Sequence, residues 1–248
     1  MEREERELQF RKYIELCKRN PNDPEIVGQG NPYAKILLVG QESAMQGDSR
    51  IIITRNIDYS VECLNKGDFS GMYYSPRFYE NRQDKNGNNI LNRTWCAYQK
   101  LIDYIRPPEN RCNYSNKTDF CKDAFTTELN NTVSPHHARD WKPRINTFKQ
   151  SDYIKGFPVV ILACSNYIQN IEGNRQIDDT FGVTFDDPDG ERIIGGMKYY
   201  IHHSRDRKRL VIHTRQLSQY SNALLFSMAA TIREHFIKIG ESYEAICY

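Results

Sequence analysis

The chain has 248 residues, enough for one large α/β domain with a real core. Hydrophobic residues make up 39% and aromatic residues 12%, with a mean hydropathy of −0.73, so the chain is polar for its size yet too aromatic to be disordered. Basic residues number 34 and acidic residues 32, a formal charge of +2, so a face for nucleic acid has to come from local clustering and not from net charge.

The N-terminus, MEREERELQFRKYIELCKRN, is charged throughout and lacks the apolar core of a signal peptide. No apolar run approaches the ~20 residues that span a bilayer, so a cytoplasmic protein without membrane contact is expected. Leu8, Tyr13, Ile14 and Cys17 recur at near-helical spacing and predict an amphipathic helix over 4–19, stopped by the turn cluster NPNDPE. Ile36 to Val39 is a short continuous apolar run ending in Gly40, the pattern of a strand buried on both faces. Residues 45–90 are polar with no clean period, which predicts a functional region or short helices. TWCAYQKLIDYI (94–105) reads as a helix ended by Pro107-Pro108. Strands follow at about 124–133 and at FPVVILACS (157–165), then an acidic, Gly-containing loop from Asp178 to Arg192. MKYYIHHSRDRKRLVIHT reads as two strands around the turn Ser204 to Lys208, and SQYSNALLFSMAATIREHF as a helix capped by Ser218.

There are no repeats and no linker, so a single domain over 1–248 is predicted. The alternation of strands and helices predicts a three-layer α/β/α fold with a doubly wound, mostly parallel four-stranded sheet. The seven cysteines are an odd number with no CxxC pair, which argues against a disulfide scaffold, a zinc ribbon or an iron–sulfur site. Neither metal nor cofactor is expected. His136-His137 and His202-His203 are adjacent pairs, and neighbours on a strand point to opposite faces, so neither pair is read as a chelate. Doubly wound sheets bind ligands at the carboxyl ends of their strands. The residues to inspect are therefore Gln41-Glu42-Ser43, Asn131-Thr132, Cys164-Ser165-Asn166 and His213-Thr214-Arg215.

Taken together, these strand ends resemble the uracil-DNA glycosylase superfamily. GNPYAKILLVGQES (30–43) resembles its first motif, a strand followed by Gly-Gln-Asp-Pro or Gly-Glu-Ala-Pro. ELNNTV (128–133) resembles the strand that carries a pyrimidine-reading Asn, and HTRQLS (213–218) resembles His-Pro-Ser-Pro-Leu-Ser. The resemblance runs in order over residues 28–236. It implies a catalytic carboxylate at Glu42, a base-reading amide at Asn131, a catalytic imidazole at His213 and an apolar wedge at Leu217. It places Gln41 and Ser43 against the flipped base, and Arg215 and Ser218 against the DNA. Ser43 and Thr214-Arg215 depart from the family's Pro and Pro-Ser. Ala44 stands where strict uracil enzymes carry a bulky Tyr, which leaves room for a larger base. Met72, Tyr73, Tyr74 and Phe78 are all candidates for the stacking residue.

The implied chemistry suits these residue types. Cutting a base from its sugar builds positive charge on the sugar and negative charge on the departing ring. A carboxylate stabilises the first and orients water, and a hydrogen-bond donor on the ring oxygen stabilises the second. The target base must leave the stack, and a wedge fills the gap. Arg205, Arg207, Lys208, Arg209 and Arg215 lie near Leu217 in sequence and are expected to grip phosphates. Each residue also has a structural reading: Glu42 as a helix cap, His213 as a bonded strand-end residue, Leu217 as a staple and SRDRKR as a solvated hairpin tip. The expected function is a monomeric DNA glycosylase acting on uracil or another modified pyrimidine. The alternative is a glycosylase-fold module that binds DNA or nucleotide without excision.

Overall fold

The computed structural model describes residues 3–41, 48–69, 79–83, 85–111, 118–130 and 141–241. In chain order its elements are α1 (Arg3–Lys18), β1 (Gln29–Gly30), β2 (Ile36–Gly40), α2 (Ser49–Lys66), β3 (Tyr79–Gln83), β4 (Asn89–Leu91), α3 (Arg93–Ile105) and β5 (Ala124–Glu128). There follow α4 (Lys142–Gln150), α5 (Asp152–Lys155), β6 (Val159–Ala163), β7 (Asn170–Ile171), β8 (Asn174–Arg175), α6 (Gln176–Phe181) and β9 (Thr184–Phe185). The last are β10 (Glu191–Ile194), β11 (Met197–His203), β12 (Leu210–Thr214) and α7 (Asn222–Lys238).

The protein is mixed α/β with a mostly parallel centre. Strands β5, β2, β6 and β12 lie side by side and all three pairings are parallel. Every residue of β2, β6 and β12 is buried, as a strand covered on both faces requires. Alternate residues feed two cores. Leu37 and Val39 pack with α1, α2 and α4 to α6 on one face, and Ile36 and Leu38 pack with α3 and α7 on the other. The sheet is wider than the expected four strands. Antiparallel β1 adds to β5, while β11, β10 and β9 extend the far edge, giving eight strands among the described residues. The hairpins of β10 to β12 are antiparallel because short turns join them.

Several boundaries differ from expectation. Much of 45–90 is ordered, with an 18-residue helix, α2, and the hairpin β3–β4. The Asp48 carboxylate accepts from Arg50 N and Ile51 N at 2.8 and 3.2 Å, and Gly67 closes the helix at φ +65°. Strand β5 stops at Glu128, short of the expected 133. The expected loop 178–192 holds most of α6 together with β9. Ser221, not Ser218, caps α7, its Oγ accepting from Leu224 N at 3.1 Å. No helix among the described residues is long and apolar enough to cross a membrane.

Candidate functional site

The parallel strands run β5-β2-β6-β12, so the chain leaves β2 toward one edge and then crosses to the other side. The crevice between the carboxyl ends of β2 and β6 is therefore the switch point at which such sheets bind ligands. Gln41 spans it, its Nε2 donating to Cys164 O at 3.4 Å. Beside it the β2–β5 ladder continues past the strands, with Leu129 N to Gly40 O at 3.0 Å and Asn130 N to Gln41 O at 2.8 Å.

His213 is the penultimate residue of the next strand and is 7% exposed. Its Nε2 lies 2.8 Å from the Ser165 carbonyl and its Nδ1 3.5 Å from Asn170 Nδ2. The carbonyl can only accept, so the proton sits on Nε2 and Nδ1 takes the amide donor. Burial pushes His213 down from 6.5 to about 4; the Ser165 carbonyl opposes this and His202 adds to it. The ring is thus a neutral N–H donor at neutral pH. Tyr200, its partner on β11, stacks on it with centroids 5.9 Å apart. Behind it Arg175 holds Asn170 Oδ1 at 3.2 Å and lies 4.0 Å over the Phe185 ring. The fully buried His202 binds Asp178 through Nδ1 at 2.7 Å. Its neighbour His203 binds Asp186 at 2.6 Å, so the two adjacent imidazoles serve different partners.

A carboxylate missed in the sequence reading lies at this edge. Glu128 ends β5 and pairs in register with Gly40, where a Cβ would come within 2.2 Å of Glu128 Oε2. Gly40 is small so that this side chain can lie across it. The carboxylate adds to burial in pushing the Cys164 thiol upward, so it lies within electrostatic reach of the β6 end. The signal was present: extending the predicted strand to 133 moved its inspected end from Glu128 to Asn131. The backbone of Glu128 is anchored by buried Arg144, whose Nε donates to Glu128 O at 3.1 Å while the same guanidinium binds Glu25, Tyr13 and Thr127.

Of the predicted site residues, Gln41 and His213 meet at this edge, both through the β6 end. Glu42, Ser43 and Asn131 lie outside the described residues, as do Ala44, the four stacking candidates and the pair His136-His137. Leu217 does not fit the wedge expectation: it is 0% exposed, packed in the core with α3 and α7, and cannot enter a duplex without abandoning that packing. Arg215 is exposed beside it, bonded to the Gln219 side chain, and Ser218 is half-buried in a 3₁₀ turn. The expected grip by Arg205, Arg207, Lys208 and Arg209 is also corrected. These residues precede β12, whereas Arg215 follows it, and five residues at ~3.3 Å each put about 16 Å between the two ends. Among the described residues no group of three or more His, Cys, Asp or Glu side chains is arranged to hold a metal. Comparison of the chain with protein-family models, with curated proteins and with solved structures gives no match.

Proposed function

We propose that the chain is a DNA glycosylase of the uracil-DNA glycosylase type, with a doubly wound α/β/α fold, acting as a cytoplasmic monomer on an extruded uracil or modified pyrimidine. The observation that supports it is His213, an imidazole held neutral by burial at the carboxyl end of a parallel strand, one strand from the switch point. A neutral N–H donor suits a departing base, because it stabilises negative charge on the ring oxygen without protonating it. Gln41 supplies an amide across the crevice. In this reading Glu42 stabilises charge on the sugar and orients water, Asn131 matches the Watson–Crick edge, Ser43 lines the base, and Arg215 and Ser218 meet the backbone. No metal or cofactor takes part.

The test is incubation with EDTA and labelled DNA carrying one uracil or modified pyrimidine, followed by alkali. Strand breaks are expected with at least one such base, and Glu42→Gln and His213→Ala should each slow the reaction by ~10² or more. Folded protein that yields no break with any of these bases would overturn the proposal.

One observation favours the second reading, a module that binds without excising. The Nε2–H of His213 already has an acceptor in Ser165 O. Were that bond kept in the complex, the protein would hold uracil-containing DNA without product, and Glu42→Gln would leave the affinity unchanged.

A further inference from the structure

The β7–β8 hairpin brings two side chains to His213. Its turn at Glu172-Gly173, with Gly173 in the left-handed region at φ +78°, sets Asn170 and Arg175 opposite each other in register. Gln176 Oε1 ties the base of the hairpin, accepting from Gln169 N at 3.0 Å. Arg175 lies 4.0 Å over the Phe185 ring and gives a guanidinium N–H to Asn170 Oδ1 at 3.2 Å. Asn170 Nδ2 in turn lies 3.5 Å from His213 Nδ1, and His213 Nε2 lies 2.8 Å from Ser165 O.

The two ends of this chain fix what lies between them. A guanidinium can only donate, so Arg175 takes the oxygen of the Asn170 amide and turns its NH₂ toward the imidazole. A carbonyl can only accept, so Ser165 O takes the proton on Nε2. Nδ1 is then a lone pair, and the Asn170 N–H has its acceptor. Three hydrogen bonds therefore run in one direction, from the cation to the carbonyl, and bonds aligned in this way polarise one another. Reversing the amide or the tautomer sets donor against donor or acceptor against acceptor. At 3.5 Å the middle link is the longest of the three, beyond the usual ~2.9–3.0 Å, so the orientation of the amide depends on Arg175 behind it. Tyr200 and His202 of β11 also face the ring, Tyr200 by stacking and His202 by opposing a second proton, with Asp178 of α6 beyond His202.

We propose that Asn170 and Arg175 are positioning residues for His213: Arg175 orients the Asn170 amide, and the amide keeps the imidazole proton on Nε2. The catalytic consequence rests on the glycosylase reading above. There the ring oxygen of the departing base takes the place of Ser165 O and meets an N–H, where the other tautomer would present a lone pair. The placement of the proton does not depend on that reading.

The test reads the two ring nitrogens of His213 by ¹⁵N NMR in the folded full chain without DNA. The parent should show a protonated Nε2 and a bare Nδ1. Arg175→Lys keeps a cationic donor to the amide and should keep that pattern, whereas Arg175→Met should give a mixture of tautomers. Asn170→Asp sets an acceptor at Nδ1 and should leave both nitrogens protonated at about pH 6. With the DNA that the parent cuts, Arg175→Met and Asn170→Asp should lower kcat ~10²-fold or more and leave KM within about twofold. Arg175→Lys should retain most of the rate. The proposal is overturned if Arg175→Met and Arg175→Lys give the same ring signals, if Asn170→Asp leaves Nδ1 bare, or if the ring signals change while kcat does not. Should Asn170→Asp fail to fold, the two Arg175 variants decide the question. Ring signals that move as expected in a chain that cuts no base would uphold the proton placement and sink only the glycosylase reading.

Discussion

The Nε2 of His213 and the backbone carbonyl of Ser165 lie 2.8 Å apart and tie the carboxyl end of β12 to that of β6. The bond fixes one tautomer, and burial fixes the charge: the ring titrates at about 4 where an open imidazole titrates at 6.5. Between those values the unfolded chain binds the proton and the folded one does not. Stability is therefore full above about pH 6.5 and falls as pH drops toward 4, by on the order of 3 kcal/mol for a shift of this size. His235, also lowered to about 4 chiefly by burial, adds to the same window. Urea midpoints should fall steadily from pH 6.5 to 4.5, and His213→Gln should flatten part of that slope. A His213→Gln slope identical to the parent's would mean that the imidazole is not buried neutral.

Leu217 separates a core residue from a DNA wedge by stability alone. Its side chain has no exposed surface and packs in the α3–α7 core. Leu217→Ala should cost ~2–5 kcal/mol in urea unfolding. A projecting wedge would leave stability within about 0.5 kcal/mol of the parent, so the same experiment reads out both possibilities.

The contrast between the parallel centre and α2 shows what the sequence carries. The runs at Ile36–Val39, Val159–Ala163 and Leu210–His213 were legible because burial on both faces leaves no polar position to interrupt them. Helix α2 was not, because charged and polar residues interleave with Ile52, Ile53 and Ile57 and blur its apolar stripe. Its ends were the better signal: Asp48 as cap and Gly67 in the left-handed region bound it at both sides. Distances were harder to read. Lys208 and Arg215 look adjacent in the sequence, yet β12 lies between them, so they sit at opposite ends of the sheet. The place of His213 near a strand end was legible, while the place of Glu128 was lost because a strand end was placed five residues late.

Arg144 and Glu25 form an ion pair of 3.0 Å with the guanidinium side chain fully buried. The same guanidinium holds the β5 end through Glu128 O, so the pair supports the carboxyl end of that strand. Removing one partner strands a charge in the core. Glu25→Gln and Arg144→Met should each cost ~3–5 kcal/mol. Glu25→Leu combined with Arg144→Met should cost less than the sum of the single changes, because no unpaired charge then remains. Additive losses in urea unfolding would show that the two side chains act separately.

Ser165 adopts φ +50°, a left-handed conformation that side-chain-bearing residues other than Asn and Asp rarely take. The conformation turns its carbonyl onto His213, and its Oγ accepts from Gln216 N at 3.2 Å, linking the β6 end to the segment after β12. Ser165→Asn should keep the backbone and leave stability close to the parent's. Ser165→Val places a β-branched residue in the left-handed region and also deletes the Oγ acceptor, and should cost ~1–2 kcal/mol or more. Relaxing that strain would swing the carbonyl away, so the ¹⁵N signals of the His213 ring should shift toward a mixture of tautomers in the Val variant and stay fixed in the Asn variant. Val tolerated without loss, with the ring signals unmoved, would show that the left-handed turn does not hold the imidazole in place.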